Sequence, residues 1–479
     1  MKLPIYSFII LIFMSSNTFA ASMEDRIKVL EDTLKKQEQT IRNQQKLIEE
    51  LREEIQEPQD ITAQKEEVSV EKEQQEPAVR DYRLDDRSRA IALQSGTPIT
   101  PYQVKTKGSP SVLNPAISVI GDFIYYNSNL SEEDRESREI AGFTGAAEEG
   151  GGHGHGQSSL EEGFNLRSAE IRIFAPVDPY FNLYVTIPFT EEAVEVEEAH
   201  FVTTSLPAGF QVKGGKFKSG FGRFNAFHPH AWNFVDAPLP YTTFLGGEGL
   251  IEKGAQVTYL PDLPVYTLIG GEMLQGANSV LYGTAAKPEP HAFTGFIKSS
   301  LDVTDNGTVL FGGSVTGGKT KTESIEHETE FRGDSILYGA EFTYKWKPSK
   351  DRSFLIQSEY LLRHQKGDFE NLEDETIEGL KRTQDGLYVQ ALYQLGRWRV
   401  GARYDALEIF KDDYILDGVN TTFGDDPYRL TGSLEFNPTE FSRIRLQYTH
   451  DKTDRDGPDN DELFLQFIMG IGAHGAHTF

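Results

Sequence analysis

The chain has 479 residues, a formal net charge of −27 at pH 7, no cysteine, 44 glycines, 31 phenylalanines and 20 tyrosines. A disulfide framework is excluded, the acidic balance leaves no expectation of a nucleic-acid partner, and after residue 20 no run reaches the roughly 18 apolar residues that a spanning helix requires. Any membrane crossing by the exported chain would be made by strands.

Lys2 precedes an apolar run from Ile5 to Met14, and Thr18-Phe19-Ala20 places small residues at the −3 and −1 positions. Residues 1–20 therefore read as a secretory signal, with an uncleaved anchor as the alternative. Over residues 24–57 apolar side chains recur at alternating steps of three and four: Ile27, Leu30, Leu34, Ile41, Ile48, Leu51 and Ile55, with Gln37 and Gln44 in the two vacant seam positions. This is a heptad seam of about four repeats, a short coiled coil that Pro58 ends. A lone amphipathic helix has the same stripe, but here the flanks are almost wholly Glu, Lys, Arg and Gln. Ile at a with Leu at d leans toward two strands. Residues 58–112 are rich in Glu, Gln, Lys, Arg and Pro, too polar to offset their ordering entropy, and read as a flexible charged linker.

From residue 113 to 479 the period changes to two. In SILYGAEFTYKW, Ile336, Tyr338, Ala340, Phe342, Tyr344 and Trp346 share one face, and Gly339, Glu341, Thr343 and Lys345 the other. RWRVGARYD sets Trp398, Val400, Ala402 and Tyr404 against Arg399, Gly401, Arg403 and Asp405. The strands expected are 117–127, 163–175, 181–189, 194–205, 210–218, 252–260, 265–275, 291–302, 307–316, 334–347, 352–364, 385–395, 398–408, 428–437, 442–452 and 462–473. Tight turns (VDP, LPAG, PDLP, VTDNG, PSK, LG, NPTE) follow the even-numbered strands, and long polar loops follow nearly all the odd-numbered ones, the exception being the link near Glu191 and Glu192. A soluble sandwich has no reason to sort loop length by parity. A transmembrane antiparallel β-barrel of about sixteen strands does, because closure alone satisfies every backbone group in lipid. The fold class expected is all-β, preceded by the coiled-coil helix.

In the last strand Leu463, Leu465, Phe467, Met469 and Ile471 share a face, and the terminal Phe479 has the same parity. Here the chain resembles Gram-negative outer-membrane barrels, whose last strand ends on an aromatic residue that the barrel-assembly machinery reads. The order of signal, coiled coil, linker and strands further resembles the trimeric porins of the phosphate-selective porin O and P group. That resemblance implies a homotrimer in the outer membrane, with the coiled coil in the periplasm, and a third external loop folded into the lumen. The loop corresponding to it is SGFGRFNAFHPHAWNFVDAPLPYTTFLGGEGL, residues 219–250, aromatic and proline-rich with few acids. Charged groups at hand for a constriction are Lys216, Lys218, Arg223, His228, His230, Asp236 and Glu248. Inward positions carry Arg172, Lys345, Arg399, Arg403, Arg429, Arg443 and Arg445. Guanidinium ladders favour anions, whereas the same arginines paired with Asp405, Glu435 and other inward acids would only fill the wall. The acids concentrate in expected external loops (SEEDRESRE, ESIEHETE, DFENLEDETIE, DKTDRDGPDNDE), where they would meet divalent cations and lipopolysaccharide headgroups.

Histidine pairs at His153 and His155, His228 and His230, and His474 and His477 are of a type that binds zinc, although a flexible H-x-H fixes no tetrahedral geometry. No tightly held cofactor is expected, only loosely bound zinc or calcium at loops. DKTDRDGPDNDE fails as an EF-hand because Lys452 and Leu463 stand where the first and last ligands belong. HETEF lacks the second histidine of a zinc-protease helix, and neither a P-loop nor a G-x-S-x-G elbow is present. The sequence thus reads as a non-enzymatic diffusion channel, with a barrel-anchored metal-binding or cell-wall-tethering protein as the alternative.

Overall fold

The period-two segments form antiparallel strands, each hydrogen-bonded to its neighbours in the chain. In the computed structural model the described residues are 115–138, 140–143, 160–283, 289–324, 329–371, 376–455 and 457–472. The expected signal, coiled coil and linker lie outside them, as do His153, His155, His474, His477 and Phe479. The strands are β1 (Ala116–Ser128), β2 (Gly163–Pro176), β3 (Phe181–Phe189), β4 (Glu198–Thr203), β5 (Phe210–Lys218), β6 (Ile251–Tyr259), β7 (Tyr266–Leu274), β8 (Ala292–Thr304), β9 (Gly307–Ser324), β10 (Thr329–Ser349), β11 (Arg352–Asn371), β12 (Thr376–Leu395), β13 (Trp398–Leu416), β14 (Val419–Asn420), β15 (Tyr428–Thr439), β16 (Ser442–Lys452) and β17 (Asn460–Gly472). β14 is a two-residue extension paired with the end of β13, and β13 pairs directly with β15. Sixteen strands therefore make the wall, which closes where β1 pairs with β17 from Ser118↔Gly472 to Ser128↔Glu462.

Alternation in sequence becomes alternation across the wall. On β17, Leu463, Leu465, Phe467, Met469 and Ile471 are exposed on the outside, while Glu462 and Gln466 are buried within. On β10, Tyr338 and Phe342 face out and Glu341 and Thr343 face in. The wall is thus inside-out relative to a water-soluble protein, with its large apolar groups exposed and its polar groups enclosed.

Strand length departs from the expectation of about ten residues throughout. β9 to β13 have 18, 21, 20, 20 and 19 residues, whereas β4 has 6 and β5, β6 and β7 have 9 each. At about 3.3 Å per residue, β10 extends roughly 70 Å and β4 roughly 20 Å along the chain. The acidic stretches ESIEHETE and DFENLEDETIE are accordingly strand in part rather than loop throughout: Glu323, Ser324, Thr329 and Glu330 of the first, and residues 368–371 and 376–378 of the second, belong to β9 to β12. Cross-strand pairs of opposite charge continue the ladder there. Lys319 Nζ lies 2.6 Å from Asp334 Oδ1, and Lys321 Nζ lies 3.1 Å from Glu330 Oε2. β4 is shorter than the expected 194–205, because Thr190 and Ala193 form a turn and Val194 keeps only an isolated bridge to Phe189.

Candidate functional site

The segment between β5 and β6, residues 219–250, is folded within the ring of strands. Its two ends are tied together: Ser219 N donates to Leu250 O at 2.9 Å, and the Asn225 amide donates to the Ser219 and Leu250 carbonyls at 2.9 and 3.0 Å while accepting from Leu250 N at 2.8 Å. Prolines suit the path, since Pro229 opens one 3₁₀ turn and Pro240 stands in the first turn of the short helix Leu239–Leu245. Phe221, Phe224, Trp232, Tyr241, Phe244 and Leu245 are buried with Phe217, Leu274, Leu337, Leu361, Tyr388 and Leu407 of the wall and with Tyr282 of the connection between β7 and β8. The aromatic composition of the segment is explained by that packing.

An irregular backbone in an enclosed space must find other partners for its N–H and C=O groups. The wall supplies them. Glu359 on β11 accepts from the amides of Arg223 (2.7 Å) and Phe224 (2.8 Å) and from the hydroxyls of Tyr241 (2.7 Å) and Tyr388 (2.5 Å). Glu272 on β7 accepts from Gly220 N at 2.7 Å and Ser219 Oγ at 2.5 Å. Carbonyls go to cations: Lys298 Nζ donates to Gly222 O at 2.6 Å, Arg403 to Asp236 O at 2.9 Å, and Arg445 to Trp232 O at 2.9 Å. Gly222 has φ +62, and a Cβ there would lie 2.0 Å from the Tyr241 hydroxyl and 2.6 Å from Glu359 Oε2. Only glycine lets the chain pass so close to this carboxylate.

Most of the expected pore-lining cations have acidic partners. Arg403 pairs with Asp236 and, at 2.7 Å, with Asp405; Arg429 pairs with Asp451 and stands 3.8 Å from Asp236; Arg172 Nε stands 3.7 Å from Glu170 Oε1. Arg399, Arg443 and Arg445 converge on one carboxylate, Glu435, at 2.8, 3.4 and 2.8 Å. One acid cannot neutralise three guanidinium groups, so this cluster keeps a positive remainder. Lys218 Nζ lies 3.3 Å from Glu197 Oε1 and donates to Glu248 O at 3.2 Å. Lys216 is half-buried on β5, next to Phe217, which is wholly buried against the inserted segment.

His228 is enclosed by acids. Its Nδ1 is 3.0 Å from Glu197 Oε2 and 4.0 Å from Glu170 Oε2, and its Nε2 is 2.8 Å from Glu198 Oε2. Burial opposes a charge on this ring, but Glu197 and Glu170 together with the hydrogen bonds to Glu197 and Glu198 outweigh it and raise the pKa to about 9. His230 lies parallel to it, the ring centroids 5.9 Å apart, with Nδ1 3.2 Å from Glu170 Oε2. There burial prevails, and the Glu170 charge only partly offsets the fall in its pKa.

Beneath the inserted segment is a cavity of about 290 Å³, lined on the segment's side by Arg223, Phe224, Phe227 and Trp232 and on the wall's side by Lys345, Gln357, Gln394 and Arg399 among others. Ser300, Thr308, Ser353 and Gln394 place it near the rim where the tight turns are. Three cations and, among the described residues that line it, no carboxylate give it a positive potential.

No family model matches the chain. A protein of Aquifex aeolicus (strain VF5), described as uncharacterized, is 40% identical over 413 residues, spanning 82% of this chain and 86% of that one. The chain belongs to the family of that Aquifex protein. Among solved structures it is similar to the outer membrane channel DcaP of Acinetobacter baumannii (12% identity, 75% of this chain and 97% of that one, TM-score 0.46) and to the anion-selective porin from Comamonas acidovorans (9% identity, 75% and 99%, TM-score 0.41).

Asp405 and Glu435 were visible in the sequence as inward acids, but Glu170, Glu197, Glu198, Glu272 and Glu359 were not singled out there. Glu359 shares its parity with Gln357 and Arg363 in FLIQSEYLLRH, a polar face that marks the lumen side. Glu197 and Glu198 lie in the acidic run EEAVEVEEAH, where nothing local distinguishes a buried acid from a solvated one.

Proposed function

We propose that this chain is an outer-membrane channel, not an enzyme, through which small anionic solutes diffuse passively. Insertion in a membrane is supported by the wall itself: its outward face is apolar, its inward apolar residues being those packed on the inserted segment, and the closed ladder leaves no unpaired edge. The observation that carries the choice of solute is the acid-free cavity, with Arg223 and Lys345 on facing sides and Arg399 drawn from a cluster of three arginines around Glu435. Fixed guanidinium and ammonium groups in an enclosed aqueous space concentrate anions and repel cations. Residues 219–250 act as the constriction, because they fill the ring above that cavity. The reading extends to a trimer with a periplasmic coiled coil, to recognition of Phe479 by the assembly machinery and to lipopolysaccharide contact at the rim, all following from the porin O and P resemblance and the sequence.

Purified protein in a planar bilayer under a potassium chloride gradient tests this. Discrete conductance steps are expected, with a reversal potential on the chloride side, and Lys345→Glu combined with Arg399→Gln should move it toward the potassium side. A bilayer that stays silent would leave the barrel as an anchor and favour the tethering alternative.

A further inference from the structure

Where the inserted segment meets β2 and β4, three side chains from distant parts of the chain turn ligand atoms toward one point. Glu170 (β2), Glu197 (just before β4) and His228 (the inserted segment) each offer one atom, all within 4.8 Å of one another, and all three residues are buried. His228 Nδ1 is 3.0 Å from Glu197 Oε2 and 4.0 Å from Glu170 Oε2. Around a tetrahedral zinc ion, with bonds near 2.0–2.2 Å, neighbouring ligand atoms stand about 3.3 Å apart, and the two separations from His228 Nδ1 lie on either side of that value. We propose that this cluster binds a single divalent transition-metal ion, zinc by ligand type, which fastens the inserted segment to the wall.

Two further observations point to a ligand rather than to a closed ion-pair network. First, two of the three candidate ligands are held from behind. His228 Nε2 is hydrogen-bonded to Glu198 Oε2 at 2.8 Å, the carboxylate–histidine arrangement that fixes a metal-binding ring with its other nitrogen forward. Glu197 Oε1 is held by Lys218 Nζ at 3.3 Å, leaving Oε2 directed at the cluster. Second, the other carboxylate oxygen of a candidate ligand, Glu170 Oε1, has no hydrogen-bond partner although Glu170 is only 3% exposed, with Arg172 Nε standing off at 3.7 Å. Buried polar groups are seldom left so. His230 Nδ1 lies 3.2 Å from the same Glu170 Oε2.

Binding replaces the proton on His228 Nδ1 with the metal, and that proton leaves to solvent. Arg172, Lys218 and the remaining oxygens stay as the outer ring. Because the ligands come from three separate segments, occupancy cross-links the constriction to β2 and β4 and holds one side of it in place.

The test uses the full chain, detergent-purified, stripped with chelator and carrying His153, His155, His474 and His477 as alanines so that no other paired histidines compete. Zinc chloride titrated by calorimetry should give one ion per chain and raise the midpoint of thermal unfolding. His228→Ala and Glu170→Gln should each weaken binding at least tenfold and abolish the stabilisation, and Glu198→Gln should weaken it about tenfold through the ring it orients. Absence of binding to the stripped background protein overturns the proposal, as does undiminished binding in the ligand variants. If His228→Ala does not fold, as judged by loss of the heat-dependent shift in gel mobility, Glu170→Gln and Glu197→Gln decide, because they preserve side-chain shape.

Discussion

The inserted segment is held by two banks of opposite chemistry. On β7 and β11 carboxylates take its N–H and O–H groups: Glu272 accepts three donors, one of them from the wall's own Gln256, and Glu359 four, one of them from the wall's own Tyr388. On β13 and β16 guanidinium groups take its carbonyls and the Asp236 carboxylate, through Arg403, Arg443 and Arg445. The difference lies in what is left over. A carboxylate accepting several donors has spent its capacity on the backbone, whereas a guanidinium has five donors to distribute. The acid bank is therefore sealed into structure, and the basic bank retains charge that reaches the cavity through Arg399. In the proposed channel, selectivity and loop placement thus draw on the same arginines.

Removing one member of each bank separates these roles. Arg403→Ala should be the most damaging, because it leaves Asp236 and Asp405 buried without their partner, a loss of about 3–5 kcal/mol. It would be read as a lowered midpoint of unfolding, and Asp236→Asn in the same chain should recover part of it. Glu359→Ala strands two backbone amides and two tyrosine hydroxyls and should cost about 3 kcal/mol, with new protease cleavage within residues 219–250. If cleavage does not appear, this bank is not what holds the segment. Arg445→Gln keeps a donor for the Trp232 carbonyl while removing one of three charges around Glu435. Stability should fall by about 1 kcal/mol and the anion preference in bilayers should weaken measurably. Lys319→Ala, in an exposed pair with Asp334 on the tall part of the wall, should change stability by less than about 1 kcal/mol and leave conductance unaltered.

The wall was legible because its signal is local. Alternation in SILYGAEFTYKW and RWRVGARYD is enough to put Tyr338 and Tyr404 outside and Glu341 and Arg403 inside, and the parity of turn lengths implied the antiparallel ring. Aromatic and proline content marked residues 219–250 as enclosed. The extent of β9 to β13 was not legible, since charged residues that would signal a loop instead form cross-strand pairs above the apolar band. Pairing of the arginines with Asp405 and Glu435 was one of the two readings the sequence left open, and the structure shows it; the pairing of Arg403 with Asp236 was not legible. Arg403 and Asp236 are 167 positions apart and meet only because the segment folds inward. A count of inward cations on single strands overstates the charge open to solute, because contacts across the lumen neutralise part of it.

The unequal heights of the strands have a bearing on how the outside world meets this barrel. A tilted nine-residue strand barely crosses an apolar layer of about 25 Å, so β5, β6 and β7 end near the headgroups, while β9 to β13 stand well clear of them. The mouth is consequently sheltered by a parapet on one flank and open at the other. In the channel proposed above, a solute approaching from this side has a low sill to pass over at β5 to β7 and a high one at β9 to β13.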